Sequence, residues 1–248
     1  MKTILVLAVL ILAPVVANAE PATFTVDGTA RRAFVYVPPV AAPPSGFPVV
    51  FAFHGRGDVI DNFEGVNLHG AWPEAIVVYF QALNREGYPG WQVVRGQDGD
   101  RDMKMVDAAL TSLRGKHRID ERHVYAVGFS NGAAFTFLLW AERPDLFAGF
   151  GIVAGRGRPE VQPKVRKPAI IASGANDPGY ADHRAGMVNA IVLNGVRTTA
   201  ARCGNGCQRY GAGSPAPVVT LTHRGGHKFP PLITDYVMTF LKENAAKP

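Results

Sequence analysis

The pentapeptide GFSNG at positions 128–132 constrains the fold of this chain more than any other feature. It follows the continuously apolar run Val124–Val127 and leads into residues 131–141, which are apolar nearly all round. A short apolar run is typical of a strand buried on both faces, and a longer one indicates a helix packed against a sheet. The sequence therefore predicts a buried strand, a tight turn with Ser130 at its tip, and a buried helix.

The two glycines of this pentapeptide have a steric reason. A serine on a sharp, strained turn between strand and helix is crowded two residues to either side, where glycine fits and larger residues do not. The helix N-terminus beneath the turn favours negative charge that develops beside Ser130. We therefore predict that Ser130 is a nucleophile; the alternative is an ordinary glycine-rich turn, which the flanking patterns disfavour.

A serine hydroxyl needs a base to take its proton. In this strand–turn–helix setting an acid and then a histidine follow later in the chain, each on a loop after a strand. The apolar run Ala169–Ala172 precedes Asp177, which we expect to orient the histidine and stabilise its charged form. An Asp-Pro turn residue is the alternative for Asp177, and Asp182 is the reserve acid.

Two histidines compete for the role of the base, because both follow the predicted strand Val218–Thr222. His223 continues the strand, so the pleat fixes its direction. His227 comes after two glycines and is free to turn toward Ser130. We therefore predict that His227 is the base.

When a serine attacks a carbonyl group, the carbonyl oxygen becomes negative, and two backbone N–H groups are expected to bind it. One belongs to the residue after the nucleophile, which is Asn131. The other belongs to the loop after the third strand, where HGRGD follows the apolar run Val49–Phe53. Within that loop Arg56 is our candidate, and its backbone rather than its charge is what matters.

Short apolar runs alternate with helical patterns along the chain, which predicts an α/β protein. About eight strands are expected, two of them antiparallel at one edge and the rest parallel, with helices on both faces. The predicted strands are Thr23–Val26, Ala33–Val37, Val49–Phe53, Ile76–Phe80, Val124–Val127, Phe147–Val153, Ala169–Ala172 and Val218–Thr222; the predicted helices are Met103–Leu113, Asn131–Ala141, Met187–Leu193 and Leu232–Leu241.

The first nineteen residues have the pattern of a secretory signal peptide. Lys2 precedes a long apolar run, and Ala17-Asn18-Ala19 is a small-x-small cleavage site. We expect cleavage after Ala19, a single catalytic domain over residues 20–248, and a product that is secreted or periplasmic and free of the membrane. An uncleaved anchor is the alternative.

The charge and the cysteines of the chain indicate which partners and bound groups to expect. The net charge of +6 comes without a run of Lys and Arg or a nucleic-acid motif, so no nucleic-acid partner is expected. Cys203 and Cys207 are the two cysteines, and in an exported protein they are expected to form a disulfide. Free thiols and a metal site are the alternatives, and the predicted chemistry needs neither a metal nor a cofactor.

Together these motifs resemble the secreted feruloyl esterase, acetyl xylan esterase and polyhydroxybutyrate depolymerase-like hydrolases. The matching segments are His54-Gly55, Ile119-Asp120, GFSNG at 128–132, the Asp177 loop and Gly225-Gly226-His227. The resemblance implies an α/β-hydrolase fold and a serine, histidine and aspartate triad, while the short polar segment 156–167 predicts that there is no separate lid domain. Family members commonly continue with Trp-Pro, whereas this chain has Phe229-Pro230, so Phe229 is the aromatic residue expected to border the pocket. Family members also spread their cysteines more widely.

The sequence therefore predicts a serine hydrolase that cleaves carboxylic esters, small or polymeric, through an acyl-enzyme. Short-acyl, hydroxycinnamoyl and hydroxyalkanoate esters are the expected substrates. A peptidase of the same fold and a catalytically silent binding protein are the alternatives. The segment 156–167 is short and carries five basic residues against Glu160, so it is not expected to form a hydrophobic lid. The sequence does not indicate an oligomeric state.

Overall fold

A ten-stranded mixed sheet forms the centre of the molecule in the computed structural model, which describes residues 18–197 and 200–244. Its strands are β1 (Ala19–Val26), β2 (Thr29–Tyr36), β3 (Phe47–Phe53), β4 (Ile76–Phe80), β7 (Ile119–Phe129), β8 (Gly149–Val153), β9 (Ala169–Gly174), β10 (Ala201–Gly204), β11 (Cys207–Tyr210) and β12 (Val218–His223). They lie side by side in the order β1-β2-β4-β3-β7-β8-β9-β12-β11-β10. Two short strands, β5 (Asn84–Arg85) and β6 (Tyr88–Pro89), form a separate hairpin.

The centre of the sheet, from β4 to β12, is parallel, and both of its edges are antiparallel. Central strands such as β4 and β8 are buried along their whole length, as their continuous apolar sequences predicted. The expected eight strands were too few. No apolar run predicted β10 and β11, whose residues are mostly half-buried or exposed.

Six α-helices accompany the sheet within the described residues: α1 (Ile60–Phe63), α2 (Leu68–Ala71), α3 (Arg101–Lys116), α4 (Asn131–Glu142), α5 (Tyr180–Leu193) and α6 (Pro231–Glu243). Two apolar clusters hold these layers together. Helix α4 contributes Phe135, Leu138 and Trp140 to the first cluster, and α6 contributes Val237 and Phe240 to the second. Alternate residues of the central strands point into one cluster or the other, so helices cover both faces of the sheet, as predicted.

The boundaries of α5 differ most from the prediction. The sequence pattern predicted a helix over Met187–Leu193, whereas α5 begins at Tyr180, directly after Pro178-Gly179. Its first half is polar and small, so it carries no apolar stripe for the pattern to detect. The predicted signal peptide lies at residues 1–19, and residues 1–17 lie outside the described residues. No helix in the described part of the chain is long and apolar enough to cross a membrane.

Candidate active site

Ser130 lies on a tight turn between β7 and α4, as the pentapeptide predicted. Its backbone has φ of 55° and ψ of −112°, a conformation that costs energy for a residue with a side chain. A Cβ atom on Gly128 would collide with the carbonyl of Gly132, and one on Gly132 would collide with the carbonyl of Phe53. Both glycines are therefore required by the close approach of backbone to backbone.

Ser130, His227 and Asp177 are joined by a continuous chain of hydrogen bonds. The Ser130 Oγ to His227 Nε2 distance is 2.8 Å, and the His227 Nδ1 to Asp177 Oδ2 distance is 2.7 Å. The three residues come from three different loops, at the carboxyl ends of β7, β9 and β12. Parallel neighbours β9 and β12 end at the same edge of the sheet, which explains how residues 50 positions apart meet.

The loops that carry Asp177 and His227 are bonded to each other. Ala175 N–H donates to His223 O at 2.7 Å, Asn176 N–H to Gly225 O at 3.0 Å, and the Asn176 side-chain amide to Arg224 O at 2.8 Å. A Cβ atom on Gly174 would collide with the carbonyl groups of Gly225 and Gly226. This contact fixes the histidine loop against the acid loop. Asn176 had no sequence signal to mark it.

The carboxylate of Asp177 is held in its charged form. Burial is the largest influence and raises the pKa of Asp177, but the hydrogen bonds from Gly179 N–H, at 2.8 Å, and from His227, together with the electrostatic attraction of His227 and His183, outweigh it. The net pKa therefore lies below its ordinary value. An ionised acid in this place keeps the proton of His227 on Nδ1 and leaves Nε2 free to accept the hydroxyl proton of Ser130.

His223 and Asp182, the alternative candidates for the base and the acid, make contacts with other residues. His223 is part of β12, and its Nδ1 accepts the N–H of Gly225 at 3.0 Å. Asp182 forms an ion pair with Arg156 at 2.8 Å, and its side chain is about half exposed. Neither hydrogen-bonds to Ser130 or His227 in the described part of the chain. The geometry thus brings together the three residues that the sequence favoured.

The two expected oxygen-binding N–H groups belong to loops that are tied together. Asn131 is the first residue of α4, where a helix leaves its N–H groups without partners. Its side chain accepts the N–H of Trp91 at 2.7 Å and donates to Trp91 O at 3.3 Å. The indole N–H of Trp91 donates in turn to His54 O at 2.8 Å, beside the loop that carries Arg56. The N–H of Arg56 donates to no acceptor within the described residues.

His54 stabilises the start of this loop from inside the protein. It is fully buried, and its Nε2 accepts the N–H of Ala82 at 3.1 Å. The proton must therefore lie on Nδ1, which donates to Gly55 O at 2.7 Å. Burial is the main cause that lowers the pKa of His54, so the ring is neutral. The sequence motif included His54 but did not predict these two hydrogen bonds.

A cleft of about 360 Å³ opens beside Ser130 and His227. Its polar lining includes four arginines and one glutamate, namely Arg56, Arg85, Arg156, Arg158 and Glu86. In the described chain, residues 154–168 between β8 and β9 contain no helix, so no helical lid covers the cleft there. Phe229 does not line the cleft but packs on Phe129 and Phe63. The expectation that this aromatic residue borders the pocket is therefore wrong.

Cys203 and Cys207 form the predicted disulfide, with a Cα–Cα distance of 5.1 Å. The bridge lies across the hairpin of β10 and β11 rather than in an irregular loop. The hairpin is bonded to β12, since Thr222 N–H donates to Gly206 O at 2.9 Å. The disulfide is thus attached to the strand that leads to His227.

The sheet order, the serine turn after β7 and the loops after β9 and β12 together define the α/β-hydrolase fold. No family model matches the chain. The chain is similar to a protein of Nocardia uniformis subsp. tsuyamanensis named as the esterase NocK, with 32% identity over 165 residues, 62% of this chain and 47% of that protein. Feruloyl esterase D of Neurospora crassa is 24% identical over 79% of this chain and 67% of its own length.

Among solved structures, an acetyl xylan esterase from Aspergillus awamori matches with a TM-score of 0.68 and 17% identity. The match covers 91% of this chain and 99% of that protein, and it establishes the shared fold. These names confirm the resemblance to the esterase group drawn from the sequence motifs. The chain spans about half the length of NocK, so the two proteins correspond over one part of the longer protein.

Proposed function

We propose that this protein is a carboxylic ester hydrolase that works through an acyl-enzyme on Ser130. The observation that carries the proposal is the hydrogen-bonded chain from Ser130 through His227 to Asp177, opening into a cleft. Similarity to proteins named as esterases supports the same reaction class. A chain of this kind activates a hydroxyl that is otherwise a poor nucleophile.

The reaction begins when Ser130 Oγ attacks the ester carbonyl carbon and His227 Nε2 takes the hydroxyl proton. The carbonyl oxygen becomes negative and accepts hydrogen bonds from the N–H groups of Asn131 and Arg56. The ester bond to the alcohol then breaks, and His227 gives its proton to the departing alcohol oxygen. The acyl group remains on Ser130 until His227 removes a proton from water, which attacks the acyl carbon. The bond from that carbon to Ser130 Oγ then breaks, His227 gives its proton back to Oγ, and the acid is released.

The connection through Trp91 supports the assignment of the two N–H donors. Donors of this kind act when they stand in place before the charge develops, and each typically contributes about 3 kcal/mol to the stabilisation of the transition state. The side chain of Asn131 and the indole of Trp91 join the serine turn to the loop of Arg56. These hydrogen bonds support a fixed distance between the N–H groups of Asn131 and Arg56, which belong to separate loops.

The expected substrates are soluble esters with a short acyl, hydroxycinnamoyl or hydroxyalkanoate group. The absence of a helical lid from residues 154–168 supports access from water. Two of the similar proteins are named for acetyl xylan and feruloyl esters, which fall in the same range. The predicted signal peptide and the disulfide support export to an oxidising compartment.

The proposal is tested by hydrolysis of acetyl, butyryl, feruloyl and hydroxybutyrate esters by the wild type and three variants. Ser130→Ala and His227→Ala should each lower kcat by at least about a thousandfold, because the members of such a triad act as a unit. His223→Ala should retain most of the activity. Full activity in Ser130→Ala, or an inactive His223→Ala beside an active His227→Ala, would contradict the assignment.

A further inference from the structure

His183 is a second histidine in the cleft, and the proposed reaction does not use it. It lies in the first turn of α5, and its ring centroid is 6.3 Å from that of His227. The residue is 6% exposed, yet it lines the same cleft as Ser130. A polar ring that is almost wholly buried but reaches a substrate cleft is a candidate for contact with the substrate.

The hydrogen bond at Nδ1 determines where the proton of His183 lies. Nδ1 is 2.8 Å from Ser173 Oγ, and Ser173 is fully buried. The hydroxyl of Ser173 has no other partner within the described residues, so its hydrogen must point to Nδ1. Asp177 Oδ2 is 3.7 Å from Nδ1, beyond hydrogen-bond distance, and already accepts from His227. The neutral ring therefore carries its proton on Nε2.

Nε2 is the ring nitrogen of His183 that is left to bond a ligand in the cleft that this residue lines. Burial, the largest influence, lowers the pKa of His183 and keeps the ring neutral, although Asp177 acts in the opposite direction. In the described chain Nε2 has no partner, and it is not among the fully enclosed polar atoms without one. Gly179 makes room for the ring, because a Cβ atom there would lie 2.9 Å from Nε2. The result is one fixed N–H donor without a protein acceptor.

The position of this donor indicates which half of the substrate it meets. Under the proposed function, the departing alcohol leaves beside His227, which protonates it. His183 lies next to His227, and both approach the carboxylate of Asp177. The N–H groups expected to bind the carbonyl oxygen belong instead to Asn131 and Arg56, on other loops. His183 is thus placed on the alcohol side of the scissile bond.

We propose that His183 Nε2–H donates a hydrogen bond to an oxygen atom on the alcohol part of the ester, and so favours esters of hydroxylated alcohols over plain alkyl esters. The proposal rests on the proposed ester hydrolysis and adds a residue that determines specificity. A site built to bond a substrate hydroxyl discriminates against the analogue that lacks it, because a buried donor then stays unpaired.

The test compares 2-hydroxyethyl butyrate with n-propyl butyrate, two esters of nearly equal size, by titration of the acid released. The quantity measured is the ratio of kcat/KM for the hydroxyethyl ester to that for the propyl ester. His183→Leu should lower this ratio about three- to tenfold, the effect of one lost hydrogen bond. His183→Gln, which keeps a side-chain N–H, should retain more of the ratio than His183→Leu. His117→Leu, which removes a histidine outside the cleft, should leave the ratio unchanged.

A second variant protects the test against a folding defect. Gly179→Ala leaves His183 in place but displaces its ring, and it should lower the same ratio. The proposal is overturned if the ratio in His183→Leu and in Gly179→Ala stays within twofold of the wild type, including when both esters lose activity equally. If the wild-type protein cleaves neither ester, the proposed function itself fails. This outcome is distinct from failure of the His183 proposal, in which both esters are cleaved but the ratio does not change.

Discussion

The buried neutral His54 predicts a specific loss of stability in acid. In the folded protein its two nitrogen atoms are committed, one as donor to Gly55 O and one as acceptor from Ala82 N–H. Protonation would place a second N–H against that of Ala82 in a fully buried site. The pKa of His54 is therefore lower in the folded than in the unfolded chain, where it is about 6.5.

The sign and the size of the effect follow from linkage. Below about pH 6.5 the unfolded chain binds a proton at His54 that the folded chain does not bind, so the free energy of unfolding falls as the pH falls. If His54 stays neutral in the folded protein, the loss between pH 7.5 and pH 5.0 is about 2 kcal/mol. His183, whose pKa is also lowered, adds a separate loss of the same sign.

Urea unfolding of the wild type and His54→Gln at both pH values isolates this contribution. Other titrating groups contribute to both proteins and cancel in the difference. His54→Gln should be less stable at pH 7.5, because it disturbs two buried hydrogen bonds, but it should lose about 2 kcal/mol less on acidification. His117→Gln, which alters no described hydrogen bond, should behave as the wild type. An equal acid loss in His54→Gln and the wild type would refute this account of His54.

Three further predictions concern the turn, the bridge and the cleft. Gly132→Ala should lower the free energy of unfolding by about 1–3 kcal/mol, because the added Cβ atom would collide with the backbone of Phe53. Thermal unfolding measures this effect, and an unchanged Tm would contradict the steric argument. Cys203→Ser with Cys207→Ser should cost about 2 kcal/mol or less, since the closed loop is short, and should keep esterase activity; two free thiols in a non-reduced digest of exported protein would contradict the disulfide. The rate on tributyrin should show no sharp rise above its solubility limit, because residues 154–168 form no helical lid; such a rise would refute an open cleft.

Sequence alone predicted the strands and helices whose own residue pattern shows that they are buried. The run Val124–Val127 before Ser130 is continuously apolar, and α4 is apolar over most of its length, because both are buried; the flanking glycines reflect backbone contacts around that turn. The proximity of Asp177 and His227 was predictable because each follows a strand, and parallel strands end at one edge of the sheet.

The features that sequence missed depend on contacts between distant segments. Strand β10 at the edge of the sheet and its neighbour β11 are partly exposed and have no apolar run, so no periodicity predicted them. The bond from Asn131 to Trp91 spans 40 residues, and the bond from Trp91 to His54 spans 37. His183 lies in a polar stretch that resembles a surface helix until the fold places it beside His227.

The central claim is that Ser130 is the nucleophile, and covalent trapping tests it most directly. The protein is inactivated with a fluorophosphonate, digested and mapped by mass spectrometry. We predict one adduct per chain, on the peptide that contains Ser130, and much slower labelling of His227→Ala, because the base activates the hydroxyl. An adduct on a different residue, or loss of esterase activity without modification of Ser130, would contradict the proposed mechanism.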